Sequence, residues 1–218
     1  MSQQVIQMIG VGFIQTIYMT AAATIIGYLV GMPMGIVLAV TGEEGICPNP
    51  VVYKLLDLLV NLVRSIPFLI LLILVMPLTK IIVGKSYGST ATIFPLIIAA
   101  APFIGRMVET ALKEVDPGVI EAAQSMGAST SRIIVSVLIG EARSALLTGV
   151  TIVLGTVLGY SAMAGVIGGG GLGDLAIRYG YYRYETDIML VTIVVLVLTV
   201  QILQKAGMML AKKTNHRT

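Results

Sequence analysis

Long stretches without any charged side chain are the feature that most limits how this chain can fold. Residues 1–42 carry none, and neither do residues 86–105 or 144–173. An α-helix of about 20 consecutive apolar residues is long enough to cross the hydrocarbon core of a bilayer. Only 11% of the 218 residues are charged, whereas soluble domains have about a quarter. We therefore predict an all-α integral membrane protein.

Five apolar segments are predicted to span the membrane within one domain, residues 1–218. They lie at about 13–40, 53–77, 86–105, 144–163 and 188–204. The first segment is longer than one span requires, and it carries Gly27, Gly31 and Gly35 at intervals of four. Small residues at this spacing let a neighbouring helix approach closely. We therefore expect another helix to pack along this glycine face.

Polar residues at the ends of the second and third spans are candidates for an interface or for the transport pathway. Asp57, Asn61 and Arg64 are four and then three positions apart, so they share one helix face. Because lipid is a costly environment for such a face, it should meet a subunit, water or headgroups. Arg106 and Glu109 end the third span. For Arg64 we favour an ion pair or a headgroup contact over direct contact with a ligand.

The distribution of basic residues predicts the orientation in the membrane. An odd number of spans places the two termini on opposite sides. With the N terminus outside, ten of the 14 basic residues face the cytoplasm: Lys54, Arg64, Arg106, Lys113, Arg132, Arg143, Lys205, Lys212, Lys213 and Arg217. Lys80, Lys85, Arg178 and Arg183 are then outside. The positive-inside rule therefore favours an outside N terminus and a cytoplasmic C terminus.

A polar interval at residues 115–140, VDPGVIEAAQSMGASTSRIIVSVLIG, separates two of the spans. Its pattern is typical of two short helices joined by a break. Asp116 is a good N-cap and Pro117 suits the first helical position. Gly127 is placed to end that helix in a left-handed conformation, and Ser129 is placed to start the next one. The orientation above puts this interval in the cytoplasm.

The first short helix is predicted to present an apolar ridge to a partner. Val119, Ile120, Ala123 and Met126 fall along one face, beside the carboxylate of Glu121. An ordinary connecting loop is the alternative interpretation of this interval.

The same interval resembles the cytoplasmic "EAA" loop of permease subunits of ABC importers: Glu121, Ala122 and Ala123 are followed, after three residues, by Gly127. The segments RSIPFLILLIL from Arg64, MPLTKIIVG from Met76, AAPFIGRMVETAL from Ala100 and LGYSAMAGVIGGGGLGDLA from Leu158 extend the resemblance to the methionine-uptake members of that family. It implies a type I importer fold. The family pattern closes with Leu-Pro, whereas this sequence has Ile139 and Gly140.

The resemblance also implies the roles of individual residues and the partners. The loop forms coupling helices that dock into a cleft on the ATPase, which would here involve Glu121, Ala122, Ala123, Met126 and Gly127. It implies a homodimer of about ten spans in the bacterial inner membrane, with two ATPase subunits and an extracellular or periplasmic binding protein or lipoprotein. Methionine (D- or L-) or a close analogue is the implied substrate, moved by alternating access.

The fourth span gives way to a glycine-rich stretch, and this change indicates a transport pathway. Irregular backbone at membrane depth is tolerated only where it is buried in protein or lines a cavity. Tyr160, Ser161 and Met163 precede that stretch. Met163 has a flexible side chain that suits a gate. A core methionine is the alternative that the sequence leaves open.

The chain is not expected to be an enzyme or to bind a cofactor, a metal or nucleic acid. Gly84, Lys85 and Ser86 match the end of a phosphate-binding loop, but Thr79 stands where its first glycine belongs. A single cysteine, Cys47, and a single histidine, His216, cannot form a Cys/His metal cluster. Any ATP would therefore be bound by a partner subunit.

Three other functions remain open at this point. One is import of another amino acid or a small polar solute. A second is ion-coupled secondary transport, although ionisable groups at mid-membrane and paired repeats are not evident. A third is a structural membrane partner without a pathway.

Overall fold

The computed structural model describes residues 3–214, and these residues form helices joined by short connections, with no strand among them. The helices before the polar interval are α1 (Gln3–Thr41), α2 (Pro50–Ser65), α3 (Phe68–Val83) and α4 (Ser89–Lys113). Those that follow are α5 (Pro117–Ser125), α6 (Thr130–Arg132), α7 (Ile139–Glu141), α8 (Arg143–Met163), α9 (Gly171–Leu175) and α10 (Thr186–Thr214). His216 and Arg217, together with the side chains of Lys212 and Lys213, lie outside the described part of the chain.

In the described part of the chain, four helical stretches are long and apolar enough to cross a membrane: Gln3–Thr41, Ser89–Lys113, Arg143–Tyr181 and Thr186–Met209. The pair α2 and α3 forms a fifth if it is counted as one bent span. Large apolar side chains on α3 and α10, such as Leu74, Ile81 and Ile202, are exposed, as is expected of surfaces that contact lipid. The predicted all-helical membrane fold is confirmed.

The predicted second span, residues 53–77, is not one continuous helix. α2 and α3 meet at an angle of 107°. Ile66 between them is extended, with φ −83° and ψ 124°, because a residue that precedes proline is sterically disfavoured in the helical conformation. Pro67 then opens α3. The predicted segment is thus divided between two helices, and we call the turn at Ile66 and Pro67 the elbow.

The glycine face of α1 packs against α4. A Cβ atom added to Gly31 would lie 2.6 Å from the carbonyl oxygen of Ala101, and one added to Gly35 would lie 2.5 Å from that of Gly105. These distances are too short for real Cβ atoms, so only glycine lets the two backbones approach this closely. The predicted close approach of a neighbouring helix is confirmed, and the neighbour is α4.

The two ends of this helix pair hold different parts of the predicted site. At one end the loop after α1 reaches the polar interval, where Sγ of Cys47 lies 4.0 Å from Oγ1 of Thr130. At the other end the backbone N–H of Gly88 donates to the carbonyl of Gly168 at 2.9 Å. The polar interval and the glycine-rich stretch therefore lie at opposite ends of the molecule.

Candidate functional site

Helix α5 has the capping geometry that its sequence predicts. The carboxylate of Asp116 accepts a hydrogen bond from the backbone N–H of Gly118 at 2.7 Å, and Pro117 is the first helical residue. Gly127 has a φ of +76°, which is a conformation that residues with a Cβ rarely adopt. The backbone N–H groups of Gly127 and Ala128 donate to the carbonyls of Gln124 and Ala123. This is a Schellman motif, so the predicted helix and its left-handed end are confirmed.

The predicted apolar ridge on α5 is split between two faces. Ala123 is only 5% exposed and packs in the core with Ile120, which is half-buried. Met126 is 82% exposed, and Glu121 and Ala122 are also exposed. The prediction of a single outward ridge is therefore wrong. Ala123 packs against its own chain, and the exposed surface of α5 includes Glu121, Ala122 and Met126.

The segment after α5 connects it directly to a membrane helix. A π-helical stretch, Ile133–Leu138, joins α6 to α7, and α5 packs against this stretch. Gly140, which replaces the family's proline, lies inside α7, and α8 begins immediately after Ala142. The chain therefore continues as helix through Gly140 and connects α6 to the start of α8.

An ion-pair network fixes α2 to α4 and is centred on Glu109. The carboxylate of Glu109 is 2% exposed and lies 2.6 Å from Nη1 of Arg106 and 2.8 Å from Nζ of Lys113. Arg106 also pairs with Asp57 on α2, and its Nη2 donates to Oδ1 of Asn61 at 3.0 Å. A buried carboxylate is costly unless it is paired. Asp57 and Asn61 on α2 are therefore paired with Arg106 on α4, although Asn61 remains exposed.

Four polar residues were predicted to belong to an interface or to the pathway, and the structure places them in two different environments. Asn61, Arg106 and Glu109 belong to the network between α2 and α4. Arg64 does not: among residues 3–214 its guanidinium has no hydrogen bond and no ion pair. An ion pair of Arg64 within the described residues is therefore absent, and its contact with a headgroup or another subunit stays a prediction. Arg64 instead lines a separate cavity with Tyr160.

This cavity lies between the elbow and α8, and we call it the elbow cavity. Its volume is about 210 Å³, and its lining is Val63, Arg64, Ile66, Phe68, Leu71, Ala99, Phe103 and Tyr160. The ring of Phe68 stacks on that of Tyr160, with centroids 4.4 Å apart and planes inclined by 6°. The elbow thus brings one end of α2 and the start of α3 against the end of α8.

The glycine-rich stretch after α8 is irregular only in part. Residues 168–170 lie outside helices, whereas Ala164–Ile167 form a 3₁₀ turn and Gly171 begins α9. Hydrogen bonds hold the stretch at several points. The backbone N–H groups of Gly171 and Leu172 donate to the side chains of Gln15 and Thr16 on α1, each at 2.9 Å. Thr92 on α4 donates from Oγ1 to the carbonyl of Gly169 at 3.2 Å. These hydrogen bonds connect the stretch to α1 and α4.

The three predicted pathway residues do not share one environment. Met163 is 51% exposed and Tyr160 is half-buried; because they are three positions apart, they lie on one face of α8. Ser161 is buried, and its hydroxyl donates to the carbonyl of Leu158 at 2.7 Å. The alternative of a core methionine is excluded within this chain, and Ser161 does not reach the exposed face.

Several residues of these sites carry no local signal in the sequence. Phe68 is one of many apolar residues in its segment, and Gln15 and Thr16 lie 156 positions from the backbone groups that they bind. The pair Ile66 and Pro67 was the available signal for the elbow, because a pre-proline residue favours extended backbone.

Comparison with known proteins agrees with this geometry. The family model "Binding-protein-dependent transport system inner membrane component" matches residues 31–206. A "Probable D-methionine transport system permease protein MetI" of Vibrio cholerae is 50% identical over 93% of this chain and 90% of its own length. The "Methionine import system permease protein MetP" of Bacillus subtilis is 46% identical over 78% of this chain and 77% of its own.

A solved structure also matches along nearly the whole chain. It is an inward-facing conformation of the MetNI methionine ABC transporter, with a TM-score of 0.97 and 41% identity, and the match covers 99% of this chain and 100% of the other. The type I importer fold implied by the resemblance is confirmed. The chain belongs to the family of binding-protein-dependent transport system inner membrane components.

Proposed function

We propose that this chain is the membrane-spanning subunit of an ATP-driven importer for methionine, in its L- and D-forms, or for close analogues. The observation that carries the proposal is the match to the methionine transporter structure over 99% of the chain with a TM-score of 0.97. The relatives named as methionine permeases support the same substrate. The subunit itself makes and breaks no chemical bond.

The exposure of Met163 supports a homodimer. Met163, one turn beyond the half-buried Tyr160 on the same face of α8, is 51% exposed rather than enclosed in a channel within the described chain. A passage along this face therefore needs a second wall, and a second copy related by a twofold axis would supply it. Two copies together would contribute about ten spans.

Helix α5 is the proposed contact with an ATPase subunit. It projects beyond the apolar spans, and its exposed surface combines the carboxylate of Glu121 with the side chain of Met126. Ala123 and the Schellman motif at Gly127 fix this surface to the chain. Closure of two ATPases on ATP would move α5, and the helical segment from α6 to α8 would transmit the motion to the pathway.

The direct test is reconstitution of the full complex. The permease is co-expressed with an ATPase subunit and a binding protein of a methionine importer from the same organism, and the complex is placed in liposomes. We expect uptake of radiolabelled L-methionine and D-methionine that needs ATP, the binding protein and a hydrolysis-competent ATPase. Uptake of histidine in place of methionine would overturn the substrate assignment. Methionine uptake driven by an ion gradient without the ATPase would overturn the mechanism.

A further inference from the structure

The elbow cavity combines polar groups without partners and apolar walls. Arg64, which is exposed, and Tyr160, which is half-buried, both border it, and the side chain of neither makes a hydrogen bond to any residue from 3 to 214. The remaining lining is apolar or aromatic, with Phe68 and Phe103 as its largest members. Small-molecule sites typically have this composition, with mostly apolar walls and a few convergent polar groups.

The charge of the cavity selects the kind of ligand. Arg64 contributes a guanidinium, and none of the lining residues carries a carboxylate. Asp57, the acidic residue nearest to Arg64 in the sequence of α2, pairs with Arg106 instead. A guanidinium is always ionised and binds carboxylates with two parallel hydrogen bonds. The cavity therefore fits a solute with one carboxylate and an apolar body.

The size and place of the cavity fit a transported solute. Its volume of about 210 Å³ is below the range of drug-sized ligand sites, so it suits one small molecule. Tyr160 forms one wall, and Met163 lies one helical turn further along the same face of α8. A solute in the elbow cavity would thus lie directly beside the proposed pathway.

We propose that the elbow cavity is a solute subsite in which Arg64 binds the carboxylate of the imported amino acid and the Phe68–Tyr160 stack packs against its side chain. This inference rests on the proposed function. It makes Arg64 a substrate-binding residue of the permease, separate from the selectivity of the binding protein. The network of Asp57, Asn61 and Arg106 leaves Arg64 free for this role because it neutralises the nearby acid.

Cysteine protection can test the subsite directly. Cys47 is the one cysteine of the chain, so Cys47→Ser gives a thiol-free permease in which Ala99→Cys places a probe on the cavity wall. Methyl methanethiosulfonate is added to the nucleotide-free complex in nanodiscs, with increasing L-methionine or with methioninamide, which lacks the carboxylate. Uptake by the Ala99→Cys complex is measured first.

We expect L-methionine to slow modification of the introduced thiol and methioninamide to do so about 10- to 100-fold less effectively, as one charge-assisted contact predicts. In the Arg64→Gln variant, the L-methionine concentration that gives half-maximal protection should rise by a similar factor. Lys54→Gln, which removes another exposed cation of α2, should leave it unchanged. If Arg64→Gln fails to assemble, the proposal is tested by comparing protection by methionine and by methioninamide in the chain that retains Arg64.

The contrary outcomes are separable. Equal protection by methionine and methioninamide, or equal loss in Arg64→Gln and Lys54→Gln, would refute the carboxylate contact. Protection that depends on phosphatidylglycerol in the nanodisc and not on methionine would make Arg64 a lipid-headgroup contact and overturn the subsite. A complex that imports methionine but shows no protection overturns only the subsite. A complex that imports no methionine overturns the proposed function as well.

Discussion

Ala128 donates its backbone N–H to the carbonyl of Ala123 at 3.1 Å, across the left-handed turn at Gly127. This bond closes helix α5 at the end that carries Met126. It also joins the exposed surface of α5 to Ala123, which is buried. The direction of that surface therefore depends on the backbone conformation of one glycine.

Gly127→Val should weaken ATPase coupling without affecting membrane insertion. A Cβ at this position would meet no atom within 4 Å, so the cost is conformational, about 1–2 kcal/mol. We expect normal insertion and dimerisation but reduced copurification with the ATPase, or reduced uptake. Gly127→Asn is the matched control, because asparagine tolerates left-handed backbone. If Gly127→Val and the unmodified chain copurify with the ATPase equally well and show equal uptake, α5 is only a connecting segment and does not couple the ATPase to transport.

Glu109→Gln should destabilise the contact between α2 and α4. The substitution leaves two cations, Arg106 and Lys113, without their shared buried carboxylate. Breaking a buried pair of this kind typically costs about 3–5 kcal/mol. Lys113→Gln removes the more exposed partner and should cost at most about 1 kcal/mol. Unfolding of the purified complexes in detergent measures the loss of stability in both variants. An equal loss of stability in the two would mean that the buried network does not stabilise the fold.

Gly31→Ala should disturb the packing of α1 on α4. The added methyl group would overlap the carbonyl of Ala101 and the side chain of Ile104, and such overpacking costs about 1–3 kcal/mol. Gly10→Ala, on the same helix, meets nothing within 4 Å and should be neutral or slightly stabilising. Thermal unfolding in detergent compares the two. A stable Gly31→Ala variant would mean that the helices separate there at little cost.

Met163→Ala should uncouple transport while leaving stability unchanged. Met163 is 51% exposed, so its truncation removes little packing. Met19 is 0% exposed, and Met19→Ala should instead lose about 2–5 kcal/mol of stability. We expect the Met163→Ala complex to leak methionine or to hydrolyse ATP without uptake. Normal coupling in this variant would remove Met163 from the gate.

Cys47 tests the predicted orientation. It is exposed and lies near Thr130 in the polar interval. An impermeant thiol reagent should label it only after the inner membrane is permeabilised. Tyr87→Cys in a Cys47→Ser chain should show the reverse, because Tyr87 is exposed at the opposite end beside Gly88. Labelling of Cys47 in sealed cells or spheroplasts would reverse the orientation and place α5 outside.

The sequence alone determined the features that depend on neighbouring residues. Uncharged segments determined the membrane helices, because the hydrocarbon core excludes charge wherever the chain folds. Asp116, Pro117 and Gly127 determined the bounds of α5, because caps and left-handed turns depend on backbone conformation within a few residues. The glycine spacing of α1 likewise predicted a close neighbour.

Only the tertiary structure decided which distant groups meet. Helix spacing placed Asp57, Asn61 and Arg64 on one face. In the fold, α4 brings Arg106 into contact with Asp57 and Asn61. Arg64 lies instead at the 107° elbow, where it lines a cavity with Tyr160. Packing also turned Ala123 inward and Met126 outward. A buried charge is stabilised by whichever partner the fold brings within a few ångströms. That choice depends on the path of the whole chain, which local spacing does not specify.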